Sequence, residues 1–190
     1  MRVGLALLAA CGPPKVTSVA PREPPPPEVP PPSRLSTVFV LESGGVSLED
    51  TVVAVPVGRR RMIVLRRGPP DNSLFAQIVI PSDALQAAGP PTDSVRVAVR
   101  PRPGLYALDL EVAGQMKAGP TVTFSYAVHF VAPDGARQRY GSDLAFERAL
   151  HIARVEPDST VTFLPTTRPG ADLLTAPIPG PGRYMVLAPR

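Results

Sequence analysis

Short runs of alternating apolar and polar residues, separated by Gly, Pro and Asp, fill the chain from Leu35 onward. Over residues 94–100 the valines fall on one face of a strand and the arginines on the other, because successive side chains of a strand point to opposite sides. Residues 121–131 alternate in the same way. Many short strands with turn residues between them are typical of an all-β domain. We therefore expect an immunoglobulin-like antiparallel β-sandwich over residues 35–190.

The same alternation predicts the individual strands. Pro56 falls near the end of one of them, and since proline cannot donate to a strand ladder we expect it on a sheet edge or at a bulge. The predicted strands cover residues 37–42, 51–57, 61–67, 74–80, 94–100, 105–112, 121–132, 149–156, 160–165 and 183–188.

One or two short helices complete the predicted fold. Helix-forming residues at 82–88 predict one or two turns that end at a Gly-Pro pair. Ser142 is a candidate N-cap for a helix over 143–148, for which a continuous strand is the alternative. Residues 133–135 and 156–159 carry Pro, Asp, Gly and Ser, which predict tight turns between strands.

The first eleven residues, MRVGLALLAAC, differ from the rest of the chain. Arg2 precedes a short apolar run, a pattern typical of a secretory signal peptide, predicted here as residues 1–10. The letters LAAC resemble the bacterial lipobox, which implies that diacylglycerol is attached to the Cys11 thiol and that the chain is cleaved before it. Gly12, directly after the cysteine, resembles the sorting signal of lipoproteins that are sent to the outer membrane. An unlipidated signal peptide and a core segment with a buried cysteine are the alternatives.

A proline-rich segment follows, with ten prolines among residues 12–33. Proline fixes φ and removes a backbone donor, so neither a helix nor a sheet is expected there. We predict that residues 11–34 form a semi-rigid tether that holds the folded domain away from a lipid surface. A ligand for a proline-recognising groove is the alternative.

Composition excludes several classes of protein. Cys11 is the only cysteine of the 190 residues, which excludes an internal disulfide and a cysteine-based zinc site. The formal net charge of +4 falls short of the clustered basic face expected of a nucleic-acid-binding protein. No apolar stretch approaches the roughly 20 residues of a membrane-spanning helix.

The segment RRRMIVLRR is the strongest candidate for a binding site. Guanidinium groups pair bidentately with phosphate and carboxylate, so the segment could capture anionic groups of an envelope glycan, a phospholipid or an acidic partner. Alternatively, the arginines protect an aggregation-prone strand. Strand alternation places Arg59, Arg61 and Arg67 on one face and Arg60 and Arg66 on the other.

Enzyme motifs are absent: the sequence has no Gly-x-Ser-x-Gly, His-Glu-x-x-His, phosphate-binding or Asp-rich calcium loop. We therefore expect a non-enzymatic protein without a cofactor. His129 and His151 could meet across a sheet and bind a metal with Asp109, Glu111 or Glu147; two polar residues on a solvated face are the alternative. Asp109 and Glu111 share a strand face and could be a general acid/base pair or simply solvated.

Residues 78–85, IVIPSDAL, resemble the Ile-Pro-x-Gly-Ala-Leu element of the ZU-five domain. Residues 95–100 and 122–133 resemble later strands of that domain, and the whole resemblance covers residues 74–190. ZU-five domains are β-sandwiches of ankyrins, netrin receptors, tight-junction scaffolds and bacterial surface lipoproteins. The resemblance implies a protein-binding or structural module. Some members cleave themselves at His-Phe-Ser; the sequence here is His-Phe-Val, so self-cleavage is not implied.

These observations predict a lipid-anchored bacterial envelope protein, on the periplasmic or surface face of the outer membrane. Its sandwich, residues 35–190, would combine N-terminal strands (35–73) with the ZU-five-like part (74–190) and serve as a structural or protein-interaction module. A binding protein for an anionic envelope glycan or lipid is the second hypothesis. A metal-dependent hydrolase around His129 and His151 is the third.

Overall fold

The computed structural model of the chain describes residues 28–45, 48–89, 93–117, 119–127 and 129–190. The predicted signal peptide, Cys11 and most of the predicted tether lie outside these residues. Within them, no helix has both the length and the apolar character needed to cross a membrane.

The fold is an antiparallel β-sandwich with two short α-helices, as the alternation predicted. The helices are α1 (Asp134–Tyr140) and α2 (Asp143–Arg148), and Leu35–Thr37 forms a 3-10 turn. The strands are β1 (Ser33–Arg34), β2 (Val38–Val40), β3 (Glu42–Ser43), β4 (Thr51–Pro56), β5 (Arg61–Arg66), β6 (Leu74–Ile80), β7 (Leu85–Ala87), β8 (Ser94–Pro101), β9 (Ala107–Val112), β10 (Gly114–Met116), β11 (Thr121–Ser125), β12 (Phe130–Val131), β13 (His151–Val155), β14 (Thr160–Phe163), β15 (Thr167–Gly170), β16 (Leu173–Pro177) and β17 (Gly182–Pro189).

Two main sheets make up the sandwich. The eight-stranded sheet has the order β1-β14-β13-β17-β9-β8-β4, and β2 pairs with the last residues of β17. The five-stranded sheet has the order β15-β16-β11-β6-β5. Strands β7 and β10 form a small pair at the side, as do β3 and β12. The sheet begins at Ser33, two residues before the start predicted for the sandwich.

The core lies between the two main sheets and follows from the period-two alternation. Val95, Val97 and Val99 of β8 are buried, whereas Arg96 and Arg100 are exposed. The five-stranded sheet contributes alternate residues in the same way. Its buried inward side chains include Ile63, Leu65, Ile78, Ile80, Val122, Phe124, Leu174 and Ala176.

Aromatic side chains attach the two helices to the sheet. Phe146 of α2 is fully buried, with its ring centroid 5.7 Å from that of Tyr140 and 6.4 Å from that of Phe39. The predicted helix at 143–148 is confirmed together with its cap, since the Ser142 hydroxyl accepts a hydrogen bond from the Ala145 amide at 3.1 Å. This cap satisfies one of the free amides at the start of the helix.

The helix predicted over 82–88 is wrong. This segment is a turn followed by β7, which pairs with β10. Ala84 and Leu85 are buried, and Gly114 of β10 comes so close that a Cβ there would lie 2.5 Å from the Gln86 carbonyl oxygen. Pairing with β10 and burial override the local helix propensity of the segment.

The predicted strand over 121–132 is confirmed for residues 121–125 but not as one continuous strand, and the predicted turn at 133–135 is wrong. The strand ends at Ser125, β12 is a separate strand, and α1 begins at Asp134. Gly135 indicated a turn, but its missing side chain serves helix packing: a Cβ there would lie 3.1 Å from the ring of Phe39. Strands β15 and β16 were not predicted.

Two turn and edge predictions are confirmed. Residues 156–159 connect β13 to β14 as a hairpin, with the Ser159 amide donating to the Glu156 carbonyl at 2.9 Å. Pro56 is the last residue of β4, which is an edge strand of the larger sheet.

Replacing Phe146 with Ala should lower the free energy of unfolding by about 3–5 kcal/mol, because it leaves a cavity among the aromatic side chains. The matched control is Leu144→Ala in the same helix, whose side chain is 55% exposed and which should change stability by no more than about 0.5 kcal/mol. Urea unfolding measures both. Equal losses would contradict the packing of α2 described here.

Candidate functional site

Strand β5 forms one edge of the five-stranded sheet, since it pairs with β6 alone among the strands that the structure describes. Arg59 and Arg60 lie in the connection from β4, Arg61 begins β5 and Arg66 ends it. All four side chains are exposed. Four of the five candidate anion-binding arginines therefore lie along one accessible strand edge.

Two exposed apolar side chains lie between these arginines. Met62 and Val64 are 48% and 41% exposed, whereas Ile63 and Leu65, which alternate with them along the strand, are buried. One face of β5 thus belongs to the core and the other to solvent. The solvent side is basic at both ends and apolar in the middle. We use the name β5 surface for the exposed side chains in and just before this strand: Met62, Val64 and Arg66 on its solvent face, and Arg59, Arg60 and Arg61 where it begins.

The charges of the β5 surface are not neutralised by nearby carboxylates. In the ranges that the structure covers, Arg59, Arg60, Arg61 and Arg66 have no acidic side chain within 4.0 Å. Arg66 donates instead to the carbonyl of Asn72 at 3.1 Å. A groove of about 480 Å³ lies beside the second half of β5; residues 48–51, among them Glu49 and Asp50, line one side, and residues 64–66, 68 and 69 line the other. The β5 surface therefore presents positive charge and leaves space along the strand.

Arg67 differs from the other four arginines because its side chain is only 3% exposed. Its Nη1 donates to the Gly44 carbonyl at 2.9 Å, and its Nη2 donates to Ser43 Oγ at 2.6 Å and to the Tyr106 hydroxyl at 3.4 Å. The guanidinium carbon also lies 5.4 Å from the ring centroid of Phe75, within cation–π range. Arg67 stabilises the fold and is not accessible to an anionic ligand.

Asp71 and His129 extend these contacts into the Arg67 network, defined as Arg67, Asp71 and His129. Asp71 Oδ2 lies 4.0 Å from Arg67 Nε and 2.5 Å from His129 Nε2, and it accepts a hydrogen bond from Ser73 Oγ at 2.9 Å. The hydrogen bond with His129 is the largest cause that lowers the pKa of Asp71 below its ordinary value of 3.8. The network joins the end of β5 to the segment after β11.

Gly45 packs directly against this network. Its φ is +85°, and a Cβ at this position would lie 2.8 Å from the His129 ring. A larger residue would therefore clash with the ring and would also adopt a strained backbone conformation. The close approach of the 43–45 segment to His129 depends on this glycine.

The structure does not bring the metal-site candidates together. His129 contacts Asp71, whereas His151 lies on β13 with its ring edge-on to Phe163 at 5.8 Å. Glu147 accepts a hydrogen bond from the Tyr126 hydroxyl at 3.0 Å. Among the described residues, no group of three or more His, Cys, Asp or Glu side chains could hold a metal ion.

Asp109 and Glu111 share one face of β9, as the alternation predicted, and both form ion pairs. Asp109 Oδ1 accepts from Arg183 Nε at 2.7 Å, and both carboxylate oxygens of Glu111 accept from Arg100 at 3.0 Å. The hydrogen bond with Arg100 lowers the pKa of Glu111 below its ordinary value of 4.5. A general acid at neutral pH requires a raised pKa. The environment of Glu111 therefore favours the alternative of ion-paired side chains on a solvated face.

A cavity of about 700 Å³ opens at the ends of β9, β13 and β17. Its charged lining residues are engaged with other charges: besides Asp109 and Glu111, Arg154 Nε lies 3.2 Å from Glu156 Oε1. Arg183, the remaining charged residue of the lining, forms an ion pair with Asp109. Paired charges of both signs give the cavity no clear preference for a charged ligand.

Sequence reasoning did not identify the partners of Arg67. Ser43, Asp71 and Tyr106 lie far apart in the chain, and none belongs to a motif. The one signal in the sequence was the period-two alternation of strand side chains, which places Arg67 on the same face as the apolar Ile63 and Leu65. This alternation indicated that Arg67 is buried, but it did not identify the residues that surround it.

No family model, no curated protein and no solved structure matches this chain. The resemblance to ZU-five domains accordingly remains a prediction from the sequence. The candidate function depends on the residues and contacts described above.

Replacing Arg67 with Met should lower the free energy of unfolding by about 3 kcal/mol, because it removes a buried charged donor and leaves its acceptors unsatisfied. Arg66→Met is the matched control, since this neighbouring side chain is exposed, and it should change stability by less than about 0.5 kcal/mol. Urea denaturation distinguishes the two. Similar losses for both variants would refute the structural role of Arg67.

Protein stability should fall as the pH drops below 6.5, in part because of His151. Burial, and secondarily the charge of Arg168, lower the pKa of His151 below its ordinary value of 6.5. The unfolded chain therefore binds this proton at a higher pH than the folded protein, and stability rises with pH across that window. Urea midpoints between pH 5 and pH 7 should depend less on pH in a His151→Gln variant. Parallel curves for the two proteins would rule out this contribution.

Proposed function

We propose that the chain is a lipid-anchored bacterial envelope protein whose β-sandwich acts as a non-enzymatic structural or protein-interaction module. The observation that carries the interaction role is the β5 surface. There, exposed arginines without acidic partners in the described part of the chain flank the exposed side chains of Met62 and Val64. Accessible charge beside accessible apolar area is typical of a surface that another molecule covers.

The anchor is supported by the sequence. The LAAC letters place a single cysteine directly after a short apolar run. Two or more acyl chains hold a protein stably on a bilayer, whereas one chain binds only marginally. The proline-rich tether would extend over roughly 70 Å as a polyproline II helix, at about 3.1 Å per residue. The sandwich would thus reach partners that are not in contact with the membrane.

The non-enzymatic role is supported by the use that the fold makes of its polar side chains. Asp71 contacts both Arg67 and His129 at the end of β5. Asp109 and Glu111 are held by arginines. These contacts stabilise loops and strands, and we propose no cofactor or metal for them. The ZU-five resemblance, which implies protein binding, agrees with this role.

Binding of an anionic envelope glycan or lipid is the second candidate. The observation in its favour is the set of exposed arginines in and beside the β4–β5 connection, because guanidinium groups bind phosphate and carboxylate well. Arg59, Arg60 and Arg61 follow one another in the chain and are all exposed. On this hypothesis the same surface would contact the envelope itself.

Replacing Cys11 with Ser should move the full-length protein from the membrane fraction to the soluble fraction of the producing bacterium, because the hydroxyl cannot form the thioether. Gly12→Ser is the matched control and should leave the protein in the membrane fraction, where a labelled fatty acid should also be incorporated. Immunoblotting of the fractions measures the distribution. Unchanged membrane association of the Cys11 variant, without label in the wild type, would disprove the lipid anchor.

A further inference from the structure

The four strands at the ends of the two main sheets differ in how well they could accept another strand. β1 has only two residues, β4 ends in Pro56, and β15 contains Pro169 and an irregular register. Short length, proline and bulges are the usual means by which proteins protect sheet edges. β5 has six residues and no proline, and its pairing with β6 is regular from Arg61 to Leu65, with one register shift before Arg66 at its end. It is the sheet end that the fold protects least by backbone means.

The side chains of β5 specify what could lie beside it. On the solvent side, Met62, Val64 and Arg66 occupy every second position of β5, and the exposed Arg60, directly before the strand, continues the same spacing. At about 3.3 Å per residue, Arg60 and Arg66 are roughly 20 Å apart. Charges so far apart cannot converge on one phosphate group, and two exposed apolar side chains lie between them. This spacing fits an extended ligand that follows the strand.

A second copy of β5 is a poor occupant. In an antiparallel pair centred on Ile63, Arg60 of one copy would lie opposite Arg66 of the other, and like charges directly opposite each other destabilise strand pairs. The apolar centre would match, but both ends would repel. The charge pattern therefore selects against self-association and in favour of an acidic partner.

We propose that β5 binds an extended acidic segment of another protein, which adds to the five-stranded sheet as a further strand. This proposal deepens the interaction role proposed above and depends on it. Main-chain hydrogen bonds to the open edge of β5 supply affinity, and the side chains supply specificity. The partner carries acidic residues that face Arg60 and Arg66, with apolar residues that face Met62 and Val64. Its recognition pattern is acidic-x-apolar-x-apolar-x-acidic.

The test uses the full-length chain in a nonionic detergent and three fluorescein-labelled heptapeptides. The probe is Glu-Thr-Val-Thr-Val-Thr-Glu. The first control has lysine at both ends, and the second keeps the glutamates but has proline in the centre, which cannot continue a strand ladder. Fluorescence anisotropy should show that the probe binds at least about tenfold more tightly than either control, since opposite charges replace like charges at both ends. Amide hydrogen exchange of β5 should slow when the probe is bound.

Charge reversal supplies the second part of the test. The double variant Arg60→Glu/Arg66→Glu should bind the probe at least about tenfold more weakly than the wild type does. It should bind the lysine-ended peptide more tightly than the probe. The matched control is Arg139→Glu/Arg148→Glu, which changes the net charge equally at exposed positions on α1 and α2. It should bind the probe as the wild type does.

Each contrary outcome overturns the proposal in a recognisable way. Equal binding of the proline peptide would show attraction by charge without strand addition. Retention on vesicles that contain phosphatidylglycerol, lost in the Arg60/Arg66 variant and without any peptide preference, would favour the anionic-lipid candidate instead. Oligomerisation of that variant, with no peptide binding by the wild type, would show that the arginines only protect the edge. Membrane fractionation of Cys11→Ser is independent of all three results, so failure of the anchor is distinguishable from failure of the strand site.

Discussion

The apolar layer between the two main sheets determines where every other feature of this structure lies. Phe75 stacks on Tyr106 at 5.4 Å between ring centroids and meets Phe124 edge-on at 5.8 Å, and all three side chains are buried. Burying a large apolar side chain contributes about 1.5–3 kcal/mol. Phe75 lies on β6, Phe124 on the neighbouring β11 and Tyr106 directly before β9, so their packing joins the two main sheets in their observed strand order. That order leaves β5 at an edge.

The buried guanidinium of Arg67 is the costly part of this arrangement. A charge removed from water destabilises the fold unless several donors and acceptors compensate it. Here the hydroxyls of Ser43 and Tyr106, a backbone carbonyl and the more distant Asp71 do so. The network also attaches the end of β5 to the segment that carries His129. Strand β5, which carries the exposed arginines, is thus held by its buried side chains Ile63 and Leu65 and by the contacts of Arg67 directly after it.

Strand alternation allows β5 to serve the core and the surface together. Ile63 and Leu65 pack inward, while Met62 and Val64 point to solvent between charged neighbours. An open strand edge of this kind can pair with another strand, and the charges of its arginines favour acidic partners over basic ones. A tether that separates the sandwich from a membrane would make this edge available to proteins at a distance, which connects the proposed anchor with the proposed binding surface.

Local chemistry by itself determined the sandwich class, most strands, the helix that begins after Ser142, the edge position of Pro56 and the inward parity of Arg67. These features depend on period-two alternation, capping or the missing donor of proline, all of which act between neighbouring residues. Only the tertiary structure decided that residues 85–87 pair with β10, that α1 forms beside Phe39, and that Asp71 meets His129. It also selected β5 as the open edge. Those outcomes require contacts between residues far apart in the chain, and propensity and periodicity carry no information about such contacts.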